Sequence, residues 1–99
     1  MTKEQGLNPN CEKHLIKVTN YNGTLEELAN DIAGLRYDKM SNLLEWLGMK
    51  IQDDAVKDYE AGRTDLSVNL GLAAISIKDA EKFTSRAWVI SKPFMKLVK

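Results

Sequence analysis

The chain is poor in the residues that staple small domains and build catalytic sites, with one cysteine, one histidine and two prolines among 99 residues. A single cysteine excludes a disulfide within the chain and is typical of a reducing compartment. No apolar run approaches the roughly 18–20 residues of a membrane-spanning helix, and the first ten residues lack the apolar stretch of a secretory signal. These absences predict a cytoplasmic protein without a transmembrane segment.

What the sequence does contain is typical of one globular domain, with 43% hydrophobic and 28% charged residues. A chain of this length can form one core, so we predict a single helical domain over residues 1–99, with 1–7 and 93–99 as tails. Fourteen basic residues balance fourteen acidic ones. This balance argues against a protein whose main task is to neutralise nucleic-acid phosphates.

The charges are unevenly distributed along the chain. Residues 24–65 contain ten acidic and five basic side chains, residues 66–77 contain no charge, and residues 78–99 contain six basic and two acidic ones. An acidic middle, an apolar segment and a basic end therefore follow one another.

The clearest local signal is a capping box at Thr24–Glu27. In this motif the Thr24 hydroxyl accepts a hydrogen bond from the Glu27 N–H, and the Glu27 carboxylate accepts one from the Thr24 N–H. Apolar residues follow at helical spacing: Leu25, Leu28, Ile32 and Leu35. This pattern predicts a helix over 24–35.

Two short helices are predicted next. One runs over 38–47, where Gly48 has the residue type favoured just after a helix end. The other runs over 53–61 and begins with Asp53 and Asp54, whose charge suits a helix N-terminus.

Residues 64–91 allow two interpretations. The alternation of apolar residues over 65–72 is typical of a strand, but two helical stripes also occur there, and helix is favoured. Pro93 should end the helical stretch that begins near Asp79, and nothing between 64–77 and 79–91 requires a break. Residues 1–23 are open between a helix entered at Asn8-Pro9 and a short strand over 14–19.

We therefore predict an all-α fold, a small bundle of four or five helices built on 24–35, 38–47, 53–61 and 64–91. The alternative is an α+β fold with a short strand in 14–19 or 65–72.

Few residues of the chain are candidates for catalysis or metal binding. Cys11 and His14 are three residues apart and share a helix face, so a small enzyme or a metal binder using this pair is one alternative. Two ligands make half of a tetrahedral site, and a buried cysteine beside a surface histidine is the simpler interpretation. Asp54 and Asp58 alternate with basic residues in a solvated stretch. We predict no catalytic residue, no metal and no cofactor, and thus a protein that is not an enzyme.

Residues 43–63 resemble the helix-turn-helix of repressor-type DNA-binding proteins, in which a Leu-Gly turn precedes a recognition helix. The resemblance rests on Leu47-Gly48-Met49 and on the Tyr59–Arg63 stretch, and it implies a DNA-associated regulator. The spacing between the two motifs is about two residues too long for that family. Three aspartates also lie where a recognition helix needs donors and cations.

The leading prediction is a non-enzymatic interaction protein, an adaptor, accessory subunit or regulator that pairs with itself and with an unidentified protein. Two apolar stripes on the uncharged segment 66–77 exceed what one neighbouring helix covers, so this segment is predicted to be the seam of a homodimer. Trp46 is a candidate interface anchor. Residues 92–99, which combine lysines with apolar side chains, are a candidate docking segment. The predicted partner-binding residues are Trp46, Leu66, Leu70, Leu72, Ile75, Lys92, Phe94, Met95 and Lys96.

Overall fold

The computed structural model describes residues 14–94, which form three α-helices and no strand. They are α1 (Leu25–Ala33), α2 (Tyr37–Glu60) and α3 (Thr64–Ser91), and a 3₁₀ turn, Lys92–Phe94, follows α3. The all-helical class is confirmed over this range, but three helices replace the four or five of the predicted bundle. The chain divides into two compact units, residues 1–33 and residues 34–99.

The first unit contains α1, which begins at the predicted capping box. The Thr24 N–H donates to Glu27 Oε1 at 2.7 Å, and the Glu27 N–H donates to Thr24 Oγ1 at 3.1 Å. The Tyr21 hydroxyl donates to Asp31 Oδ2 at 2.6 Å. This hydrogen bond, with smaller effects of burial and of the Asp31 charge, raises the pKa of Tyr21 above its usual value.

Both predictions for the segment that precedes α1 are wrong where the structure describes it. Residues 14–19 form bends and turns, neither a strand nor a continuing helix. The Tyr21 N–H donates to the Val18 carbonyl at 3.3 Å, and Asn20 has a left-handed φ of 66°. A tight turn of this kind interrupts both regular patterns. Residues 1–13, including the Asn8-Pro9 helix start, lie outside the described range.

The second unit contains an antiparallel hairpin of α2 and α3. The two helices are 24 and 28 residues long and are joined by Ala61–Arg63. Gly62 has a φ of 85°, which lets the chain reverse directly after α2. The Arg63 N–H donates to the Asp58 carbonyl at 2.8 Å, and Arg63 Nε donates to Asp58 Oδ1 at 2.9 Å. Three residues are thus enough for the reversal.

The predicted division of residues 38–61 into two helices is wrong, because α2 runs through Gly48 without a break. Gly48 is buried against α3. A Cβ added there would lie 3.4 Å from Ile77 Cγ2 and 3.7 Å from the Ala74 carbonyl oxygen. The glycine therefore permits a close approach of two helices instead of ending one.

The predicted helical conformation of residues 64–91 is confirmed, and the alternative strand at 65–72 is wrong. The structure also answers a question that the sequence left open, because these residues form one helix, α3, and not two. None of the helices that the structure describes combines the length and the apolar character needed to cross a bilayer.

Candidate functional site

Small residues line the contact between α2 and α3. Ser41, Gly48 and Ala55 follow one another at intervals of seven residues and are all buried. On α3, Ala74 is buried, and the Ser67 hydroxyl donates to the Ala55 carbonyl at 2.7 Å. A seven-residue repeat keeps one stripe of a helix facing its partner, and small side chains let the two backbones come close.

A polar cluster lies in the same contact toward the open end of the hairpin. Ser41 Oγ lies 2.9 Å from Glu81 Oε2 and 2.6 Å from Ser85 Oγ, and Ser85 Oγ donates to Glu81 Oε2 at 3.2 Å. The three side chains satisfy one another in a part-buried setting. Sliding one helix along the other would break these bonds, so the cluster determines the register of the hairpin.

Cations surround Trp88 at the open end of the hairpin. The Arg36 guanidinium lies 5.0 Å from the centre of the indole, and Lys92 Nζ lies 5.9 Å from it. Two hydrogen bonds of 2.7 and 2.8 Å join Arg36 to Asp38. This pairing lowers the pKa of Asp38 and raises that of Arg36. The arrangement orients the guanidinium over the ring and tethers the start of α2 to α3.

Most large apolar side chains of the hairpin remain in solvent. Among the described residues, Ala55 and Ala74 are the buried hydrophobic ones, so no large side chain forms a closed core. Trp46, Leu72 and Ile75 are between 57% and 60% exposed. Other exposed apolar residues of the two helices are Tyr37, Leu43, Leu47, Met49, Val56, Tyr59, Leu66, Val68, Phe83, Val89 and Ile90.

The predicted partner-binding residues do not form one cluster. Leu70 is half-buried, and its place in the seven-residue repeat puts it in the α2 contact with Ile77. Trp46, Leu66, Leu72 and Ile75 are exposed but lie around different sides of the two helices. Lys92 and Phe94 lie in the exposed 3₁₀ turn, while Met95 and Lys96 fall outside the described residues.

A shallow groove of about 480 Å³ runs along one side of the hairpin. Met49 and Gln52 of α2 and Ile75 and Lys78 of α3 are among the residues that line it. The other side of α3 has a different composition. We call it the uncharged face; it consists of Leu66, Asn69, Ala73, Ser76, Ala80, Phe83, Ala87 and Ile90.

The alternative sites predicted from sequence are only partly within the described residues. His14 is exposed, and Cys11 lies outside the described residues. Over the described part of the chain, no three metal-ligating side chains come together. Asp58 pairs with Arg63 at the hairpin turn. The helix-turn-helix resemblance requires a turn at Gly48, where α2 is continuous.

Sequence reasoning missed the small-residue repeat and the Ser41–Glu81–Ser85 cluster. The repeat was visible as Ser41, Gly48 and Ala55 at equal intervals, but it was hidden by the interpretation of Gly48 as a helix end. The cluster joins residues about 40 positions apart and has no local signal.

Comparisons of the chain with protein-family models, with curated proteins and with solved structures yield no match.

Proposed function

We propose that this protein is a non-enzymatic, cytoplasmic interaction module, an adaptor, accessory subunit or regulator that works through contacts of the α2–α3 hairpin. Its first partner is a second copy of the chain. The proposal rests on one observation, the large apolar side chains that both long helices leave in solvent.

The magnitude of this exposure supports a partner. Full burial of a Val, Leu, Ile, Phe or Met side chain is worth roughly 1.5–3 kcal/mol, so a half-exposed one retains about 1 kcal/mol for association. More than ten apolar side chains of α2 and α3 are in this condition. Monomeric proteins rarely expose contiguous apolar patches larger than a few hundred Å². Pairing of two hairpins would place many of these side chains in a common core.

Sedimentation equilibrium at micromolar concentration tests the proposal. We expect a species of twice the 11.2 kDa chain mass. Leu72, which is 57% exposed, belongs to the segment predicted as the seam, so Leu72→Asp should shift the equilibrium to monomer. Asn42→Asp is the matched control, because it adds the same charge at an exposed position of α2 and should remain dimeric.

Circular dichroism of the same samples separates dissociation from unfolding. A wild-type monomer throughout the concentration range would refute self-association. A Leu72→Asp variant that loses its helical signal would show that Leu72 is needed for the hairpin itself, against its assignment to the seam. A Leu72→Asp variant that stays dimeric would remove Leu72 from the interface.

A further inference from the structure

The uncharged face of α3 has a consequence for how two copies pair, if the proposed self-association is correct. None of its eight residues is charged. The face extends from Leu66 to Ile90, a helical span of 25 residues or about 37 Å. The remaining exposed positions of α3 contain acidic or basic side chains at intervals. Leu66, Phe83 and Ile90 on this face are 47%, 63% and 70% exposed.

The hairpin leaves six of the eight residues of this face exposed and only Ala73 and Ala87 half-buried, because α2 contacts a neighbouring stripe of α3. That stripe includes Ser67, Ala74, Ile77 and Glu81, which lie against α2 through hydrogen bonds or close approach. The uncharged face begins one position away and follows the same seven-residue repeat. In four-helix bundles, a third apolar position beside the two that face the nearest neighbour extends each helix into a common core.

We propose that two copies of this chain associate through the uncharged face, with their α3 helices antiparallel and a twofold axis at Ser76. In this register the face is complementary in size to itself. To within one residue, Leu66 lies at the level of the partner's Ala87, Phe83 at the level of the partner's Asn69, and Ala73 at the level of the partner's Ala80. Leu66 and Phe83 therefore each meet a smaller side chain, as close packing of two helices requires, whereas Ile90 lies beyond the start of the partner's α3.

The charges beside the face agree with the same register. Asp65 and Arg86 lie on one flank of the uncharged face, 21 residues or three repeats apart. Antiparallel pairing about Ser76 brings Asp65 to within one residue of the level of the partner's Arg86, and the twofold axis repeats this pair. Parallel pairing would instead leave Asp65 and Arg86 three repeats apart and would place Phe83 against the partner's Phe83. Charge and size thus favour the antiparallel arrangement.

A second copy is the occupant that these features fit. The face has no cation for a phosphate group, so nucleic acid has nothing to bind there. An unrelated helix would need an apolar stripe of the same length and an opposite arrangement of flanking charges. The chain itself presents both.

Disulfide cross-linking tests the arrangement directly. In a Cys11→Ser background, Ser76→Cys places two thiols across the twofold axis, and mild oxidation should convert most of the protein into a covalent dimer on a non-reducing gel. Lys78→Cys is the matched control. It lies at nearly the same level of α3 but on the groove side, and it should give at most a trace of dimer.

Charge reversal tests the register. Asp65→Arg and Arg86→Asp should each raise the dimer dissociation constant about tenfold, because each breaks two symmetry-related pairs and creates repulsion. The double variant should restore the wild-type constant. Circular dichroism checks that each variant keeps its helices.

The outcomes separate this inference from the proposed function. Cross-linking at Lys78→Cys but not at Ser76→Cys, in a protein that sediments as a dimer, would overturn the choice of face and leave self-association standing. A double charge variant that stays weakened would overturn the antiparallel register. A wild-type monomer in sedimentation would refute both proposals.

Discussion

At the scale of single residues, Gly62 and Gly71 have opposite effects on stability. An added Cβ would meet no neighbouring atom at either position. Gly62 ends α2 with a φ of 85°, a conformation that costs other L-residues roughly 1–2 kcal/mol. Gly71 lies inside α3, where an added Cβ would meet no atom within 4 Å. The first needs the freedom of glycine, whereas the second only weakens its helix.

We expect Gly62→Ala to lower the free energy of unfolding by about 1 kcal/mol, because the alanine must adopt a left-handed conformation. Gly71→Ala should raise it by about 0.5–1 kcal/mol through helix propensity. Urea denaturation at one fixed protein concentration measures both. Equal effects of the two substitutions would contradict the difference in backbone conformation.

At the scale of elements, the separation of α2 and α3 depends on the small residues between them. At Gly48 there is room for a methyl group but not for a larger side chain, since an added Cβ would lie 3.4 Å from Ile77 Cγ2. The Ser41–Glu81–Ser85 cluster then holds the helices in one register. Spacing and register therefore have separate structural causes.

Gly48→Leu should lower the free energy of unfolding by about 1–3 kcal/mol, because its side chain would force α2 away from α3. Gly48→Ala should be neutral or stabilising by up to about 1 kcal/mol, since its single methyl group fits and favours the helix. Denaturant midpoints of the two variants provide the measurement. A Gly48→Leu variant as stable as wild type would show that the helices are not closely packed there.

At the scale of the whole molecule, the hairpin has long helices and little buried apolar surface. Helices of this kind gain most of their stability from packing and not from local propensity. Association with a second copy would therefore supply a large part of the folding free energy. If two copies pair as proposed, folding and self-association form one coupled equilibrium.

Coupling predicts that the urea midpoint of wild-type protein rises with protein concentration. For a dimer that unfolds to two chains, each tenfold increase in concentration contributes about 1.4 kcal/mol per dimer. Gly62→Ala should keep this dependence, whereas Leu72→Asp should lose it. A wild-type midpoint that is independent of concentration would mean that the hairpin is stable alone.

The all-helical class, the start of α1 and the helical conformation of residues 64–91 could be predicted from the sequence, although one helix or two remained open for the last of these. These follow from interactions between residues a few positions apart, such as the bonds between Thr24 and Glu27, and from apolar periodicity over 64–91. Such short-range interactions do not depend on tertiary contacts, so the sequence is enough to predict them.

The continuity of α2 and the choice of the α3 stripe that faces it depend on contacts between the two helices. Gly48 suits a helix end and a close helix contact equally well, and the proximity of Ile77 and Ala74 selects the second. Likewise, both apolar stripes of residues 66–77 are equivalent until α2 packs on Leu70 and Ile77 and leaves Leu72 and Ile75 in solvent. Local preferences cannot distinguish these outcomes, because they depend on contacts between residues far apart in sequence.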